Sequence, residues 1–181
     1  VPQYLFPKPY ADFAQRLRVP CGFVLLVTFA LFSRPSRMSL FIGIPLSLCG
    51  LLLRGWAAGH LAKNKDLAVS GPYAYLRNPL YAGTLMTAAG LVVAASSWYL
   101  VPIFAAVFLL VYLPAIELEE QHLRTLFPGY ANYAEKVNRF LPFRKWPLPG
   151  ARFDKALYLK NEEYKASLGF LAALAWLIWK L

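Results

Sequence analysis

The sequence predicts an all-α integral membrane protein of about five transmembrane helices, the third and fourth forming a helical hairpin. Three observations carry this prediction. Hydrophobic residues make up 59% of the 181 and charged residues only 15%, against about 25% charged in ordinary soluble domains. From Asn78 to Ile116 there is no Asp, Glu, Lys or Arg, which leaves room for two crossings of roughly 20 apolar residues joined by a turn. The basic residues behind the net charge of +10 do not form one run. They flank apolar stretches, as expected where Lys and Arg fix topology and contact anionic head groups. Membrane lipids are therefore the expected surroundings, and no nucleic-acid partner is implied. The chain, residues 1–181, reads as one membrane domain.

The elements follow in order. Residues 1–18 hold early prolines, then a short amphipathic piece ending in Arg16 and Arg18. They read as an interfacial lead-in with Tyr4, Phe6 and Tyr10 near head-group level. A first span is expected at about Val19–Phe32, short unless the backbone from Phe13 contributes, and Pro35 ends it. The second, about Met38–Gly59, contains Pro45 and Arg54. Arg54 is placed either to snorkel to the interface or to face inward and hold an anionic ligand group. After a basic loop, the third span is expected at about Pro79–Ala95. Its Ala, Gly and Thr content permits close helix contact. Ser96-Ser97-Trp98-Tyr99 makes a turn, and the fourth span follows at about Leu100–Ile116. Helical character continues through Glu117–Phe127 and breaks at Pro128-Gly129. Residues 144–181 form a connector and a last apolar run, about 166–179, favoured as a fifth span because Trp179 and Lys180 suit an interface.

Lys63, Lys65 and Arg77 follow the second span, and Arg124, Lys136, Arg139, Arg144 and Lys145 follow the fourth. With Lys8, Arg16 and Arg18 they fall on one side, which should face the cytoplasm. Cys21 and Cys49 lie in apolar stretches and read as small buried residues. No metal-ligating, Walker or GxGxxG pattern is present. The chain begins Val-Pro without a Met, and no signal-peptide pattern is evident.

A hairpin returns the chain to the side it left, so the loop Ser70–Gly83 should meet the charged segment after the fourth span. The loop brings Tyr73, Arg77, Asn78, Pro79, Tyr81 and Gly83, and the segment brings Glu119, Glu120 and His122. Tyr130, Tyr133 and Arg139 lie beyond. Much of this is a solvated helix face with i,i+4 pairs such as Glu120 and Arg124. Glu119 and Glu120 point about 100° apart on a helix, so only one faces any given pocket. A carboxylate, an arginine and several aromatic faces suit a zwitterionic, cationic ligand with a flat base. S-adenosylmethionine has all of those groups.

GPYAYLRNPLYAG, then EE, then LF-x-x-Y-x-x-Y-x-x-x-V-x-x-F-L-P-F, resembles the integral-membrane methyltransferases, the isoprenylcysteine carboxyl and phospholipid methyltransferases. The resemblance covers about 69–143. Asn78 stands where the isoprenylcysteine branch has His, as in the phospholipid branch. The G-x-G cofactor motif of the phospholipid branch is absent, while Tyr130, Tyr133, Val137 and Leu141-Pro142-Phe143 look like the isoprenylcysteine branch. The resemblance implies a methyltransferase using S-adenosylmethionine and releasing S-adenosylhomocysteine. The lipophilic acceptor would enter from the bilayer between helices, its nucleophile an isoprenylcysteine-type carboxylate or, alternatively, a phospholipid amine. Arg77, Asn78, Tyr81 and Glu120 would be catalytic. Tyr73, Arg77, Pro79, Tyr81, Gly83, Glu119, Glu120 and His122 would bind cofactor, and Arg54, Tyr130, Tyr133 and Arg139 would touch substrate.

A carboxylate acceptor is already ionised at neutral pH, whereas an ammonium must lose a proton, for which Glu120 or His122 are the candidate bases. Asn78 cannot accept one, so its expected role is positional. Two other readings compete. Membrane sterol reductases that use NADPH carry a similar loop, and a non-catalytic membrane scaffold would keep the same architecture.

Overall fold

A computed structural model describes residues 5–142, 145–147 and 151–181. Tyr4, Phe143 of the tail motif and Arg144 of the basic flank lie outside them. The described residues form seven helices and one 3-10 turn: α1 Lys8–Phe32, α2 Arg37–Ala58, the turn Gly71–Ala74, α3 Pro79–Ala95, α4 Leu100–Leu126, α5 Tyr130–Lys136, α6 Lys155–Lys160 and α7 Tyr164–Trp179. Three are long and apolar enough to cross a membrane: α1 with 25 residues, α2 with 22 and α4 with 27. At 1.5 Å per residue the shortest of these is roughly 33 Å long, against a hydrocarbon core of roughly 30 Å. The apolar α3 and α7 are shorter, at 17 and 16 residues.

The first helix corrects the expected lead-in. Pro9 sits in its first turn, where a backbone N–H has no intrahelical acceptor to lose. The helix therefore begins at Lys8 and carries Arg16 and Arg18 within it. Its outer side, including Phe23, Val24, Leu26, Val27 and Leu31, is exposed and forms lipid-facing surface.

A reciprocal capping box between Ser36 and Ser39 starts α2. That helix packs closely along α3 because small residues at matching spacing face each other. Gly43, Ser47 and Gly50 meet Ala94, Gly90, Thr87 and Gly83. A Cβ at Gly50 would lie 2.5 Å from the Thr87 nitrogen. Ser47 Oγ donates to the Thr87 carbonyl at 2.9 Å, and Ser39 Oγ donates to the Ala94 carbonyl at 2.9 Å. Such contacts replace the hydrophobic driving force that lipid removes.

The fourth span and the helical segment after it are one helix. Its middle turn, Phe108–Tyr112, is a π-turn just before Pro114. Pro114 has no N–H for the Leu110 carbonyl, and the Tyr10 hydroxyl donates to that oxygen instead, at 2.8 Å. The unbroken helix projects its carboxylates directly from the apolar span.

The last helix runs from one end of the bundle to the other. At its start, Glu163 pairs with Arg54 at 2.8 Å. At its end, Lys180 Nζ donates to the Ala30 carbonyl at 2.9 Å and covers the exposed carbonyls closing α1.

Candidate functional site

The loop from Gly59 to Asn78 is held by backbone rather than by regular structure. Gly71 has φ +55°, and a Cβ there would lie 2.5 Å from the His60 ring. Both facts require glycine. His60 Nδ1 lies 3.0 Å from Ser70 Oγ, and burial lowers the His60 pKa below its usual 6.5. Beyond the turn the chain extends, and Leu76 bridges in parallel to Asn138. Arg77 N donates to the Asn138 carbonyl at 2.9 Å. Tyr133, 1% exposed, donates its hydroxyl to the Tyr73 carbonyl at 2.6 Å. These ties bring the loop and the segment after α4 together at one end of the bundle.

The two adjacent carboxylates of α4 diverge there. Glu120, 4% exposed, points into the protein. Asn78 Nδ2 donates to its Oε1 at 2.7 Å, Arg139 Nη2 donates to its Oε2 at 2.8 Å, and Arg77 Nε lies 3.3 Å from Oε1. Glu119 points the other way and accepts from the Tyr81 hydroxyl at 2.8 Å.

Beside Glu119 lies a cavity of about 660 Å3, within the range of small-molecule sites. Of the residues expected at the site, Tyr73, Arg77, Asn78, Pro79, Tyr81, Glu119, His122, Tyr130 and Tyr133 line it. Burial, and then the charge of Glu119, push the Tyr73 hydroxyl far above its ordinary pKa, so it stays a protonated donor. Burial does the same for Tyr130 and Tyr133.

Four expected residues sit elsewhere. Gly83 faces Gly50 and Arg54 in the α2–α3 contact, so its small size serves helix packing. Arg54 turns inward to protein partners. It donates to Glu163 and to Thr84 Oγ1, tying α2 to α7 and α3. Arg139 and Glu120 lie behind the cavity wall, each occupied by the other.

Sequence reasoning missed the contribution of α1. Lys8, Gln15 and Arg18 line the cavity, as do Lys63 and Asp66 of the loop. The spacing 8, 15, 18 puts the α1 residues on one helical face, a signal that became readable only with the helix starting at Lys8. Among the described residues, no group of three or more His, Cys, Asp or Glu side chains is placed to hold a metal ion.

The long apolar helices and the loop that meets the end of α4 define a helical, membrane-embedded scaffold. Residues 38–129 match the phospholipid methyltransferase family, and the chain belongs to that family. Over 103 residues it is 34% identical to the cobalt-zinc-cadmium resistance protein CzcN of Cupriavidus metallidurans, covering 56% of this chain and 46% of that one. It is 31% identical over 103 residues to the nickel-cobalt-cadmium resistance protein NccN of Alcaligenes xylosoxydans xylosoxydans, covering 56% and 47%. A protein-S-isoprenylcysteine O-methyltransferase of Schizosaccharomyces pombe is 27% identical over 141 residues, covering 75% of this chain and 59% of that one. The chain thus spans about half the length of the curated relatives it matches. No solved structure matches it.

Proposed function

We propose that this protein is an S-adenosylmethionine-dependent methyltransferase that acts, from within the membrane, on a lipophilic acceptor. The observation that carries this reading is the cavity itself. It combines the family loop with an anionic Glu119 and tyrosine faces, at the end of apolar helices. The donor set fits the cofactor's chemistry. Tyr73 and Tyr81 give the wall aromatic character suited to a cationic centre, and Glu119 and Asp66 offer acceptors for an ammonium or ribose hydroxyls. S-adenosylmethionine, when bound, supplies a methyl on a cationic sulfur, which is lost as the acceptor's nucleophile bonds to that carbon.

The protein's own part is alignment and exclusion of water. Glu120 holds Asn78, Arg77 and Arg139 in fixed positions, so its role is to position these groups rather than to take a proton. Should the acceptor be an ammonium, the groups on the cavity wall able to accept its proton are Glu119 and His122. The metal-resistance relatives support the scaffold and leave the acceptor open. The basic excess at the cavity end supports a cytoplasmic site, and the end-to-end course of α7 supports a fifth crossing.

Calorimetry on the detergent-solubilised protein tests the reading, with S-adenosylmethionine and S-adenosylhomocysteine as ligands and NADPH as control. Binding of the sulfonium and its product, weakened by Glu119→Gln, is the expected result. NADPH binding in their place would overturn it in favour of a reductase. Well-folded protein that binds none of the three would point to a non-catalytic scaffold.

A further inference from the structure

We infer that Arg18 of α1 is the residue that reads the acceptor, holding an anionic head group, carboxylate or phosphate, inside the cavity. The inference rests on the methyltransferase reading for the word acceptor and on geometry for the rest. Arg18 lies roughly 15 Å of helix rise beyond Lys8, on the inner face of an apolar span. An ionisable side chain turned inward from an apolar helix marks a ligand pathway or a paired site in membrane proteins.

Among the described residues Arg18 has no ion-pair partner. Arg77, Arg139 and Arg54 direct their guanidinium groups to Glu120 and Glu163. The Arg18 side chain makes no salt bridge and no hydrogen bond among the described residues. Its guanidinium lies instead over two aromatic faces, 5.6 Å from the Tyr81 ring centroid and 5.9 Å from that of Tyr112. Ring faces orient a guanidinium without consuming its N–H donors, and five such donors form a fork that matches a carboxylate or phosphate.

The charge around it points the same way. Tyr81 presents its ring to Arg18 and its hydroxyl to Glu119, so one side chain separates a cationic from an anionic position in the same cavity. Glu119 suits the cationic centre of a methyl donor. Lys8, Lys63 and Arg18 outnumber Glu119 and Asp66 on the wall, and Arg77 is already matched by Glu120. The uncommitted positive charge on the α1 side calls for an anion.

Location adds a route. The first helix packs along α4 and touches α3 only lightly, so the Arg18–Tyr81 contact spans the looser seam through which an amphiphile would reach the cavity from the bilayer. Arg18 also lies outside the segment that matches the family.

The test uses the full chain in lipid nanodiscs and three probes with one tail: dodecanoate, dodecyl phosphate and dodecanamide. Each is titrated with and without S-adenosylhomocysteine, on the wild type and on Arg18→Gln, Arg18→Lys and Arg16→Gln. One or both anions should bind about tenfold tighter than the amide, the gain of a charge-assisted hydrogen bond. Which anion it is identifies the head group. Arg18→Gln should erase the preference and leave S-adenosylhomocysteine affinity unchanged, Arg18→Lys should keep part of it, and Arg16→Gln, exposed on the same helix, should keep all of it. Equal binding of the amide overturns the assignment. So does loss of S-adenosylhomocysteine affinity in Arg18→Gln with the anion preference intact, which would place Arg18 on the cofactor. Arg18-dependent anion binding in protein that never binds S-adenosylhomocysteine upholds the anion site and makes the methyltransferase reading the one that fails.

Discussion

Glu119 and Glu120 are neighbours in sequence with different surroundings, and their substitutions should separate accordingly. Glu120 is buried against Arg77 and Arg139. Glu120→Gln keeps the shape but leaves two guanidiniums without their counter-charge, a change that costs about 3 kcal/mol when a buried pair loses one partner. Thermal unfolding in detergent should register it as a marked drop in midpoint. Glu119→Gln should leave that midpoint nearly unchanged and weaken S-adenosylhomocysteine binding about tenfold, read by calorimetry. His60 gives a pH dependence with a definite sign. Its folded pKa is lowered by burial, so the unfolded chain binds the proton more readily. The contribution is present above pH 6.5 and is lost as the pH falls through the lower folded value. Unfolding midpoints should therefore drop on acidification below 6.5, and His60→Gln should flatten that slope.

At the scale of the element, α2 and α3 depend on the absence of side chains between them. Gly90→Ala would press a methyl onto the Ser47 nitrogen and the Gly43 carbonyl, both backbone, so neither can swing aside. A cost of about 1–3 kcal/mol is expected from overpacking, again as a lowered unfolding midpoint. Ser96, which closes α3, has the opposite character. It sits at φ +50°, in the left-handed region, where a Cβ is unfavourable. Ser96→Gly should raise the midpoint by relieving about 1 kcal/mol. The π-turn in α4 has a local cause in Pro114, and Tyr10→Phe should leave the Leu110 carbonyl without its donor.

Across the whole molecule, the asymmetry of Lys and Arg predicts that the cavity end faces the cytoplasm. Single cysteines at Lys63 and Trp98, in a background lacking Cys21 and Cys49, test this in intact cells. A membrane-impermeant maleimide should label position 98 and spare position 63 until the cells are opened. Lateral access makes a second demand, that methyl transfer depends on an acceptor's apolar tail. A tail-free acceptor that is methylated as well as a lipophilic one would refute it.

Much of this architecture was legible because a bilayer leaves few choices. Apolar length sets the spans, and α3 falls where its opening Pro79 and the Ser96 turn mark it. The loop and the carboxylates met at one end because a hairpin must return. What stayed hidden was which way side chains turn. Nothing in EE says which glutamate is buried, since that depends on Arg77 and Arg139 arriving from two other segments. Gly83 belongs to a sequence motif yet packs against α2, and Arg54 found Glu163, which is distant in the chain.

The sequence by itself determined the membrane class, the hairpin and the end of the bundle where the loop meets the carboxylates, because hydropathy and basic flanks are local, additive properties of the chain. Only the tertiary structure decided that Glu120 is an internal anchor, that Glu119 faces the cavity and that Arg18 reaches it from α1. Those outcomes depend on helices remote in sequence converging, and burial and pairing exist only once they have.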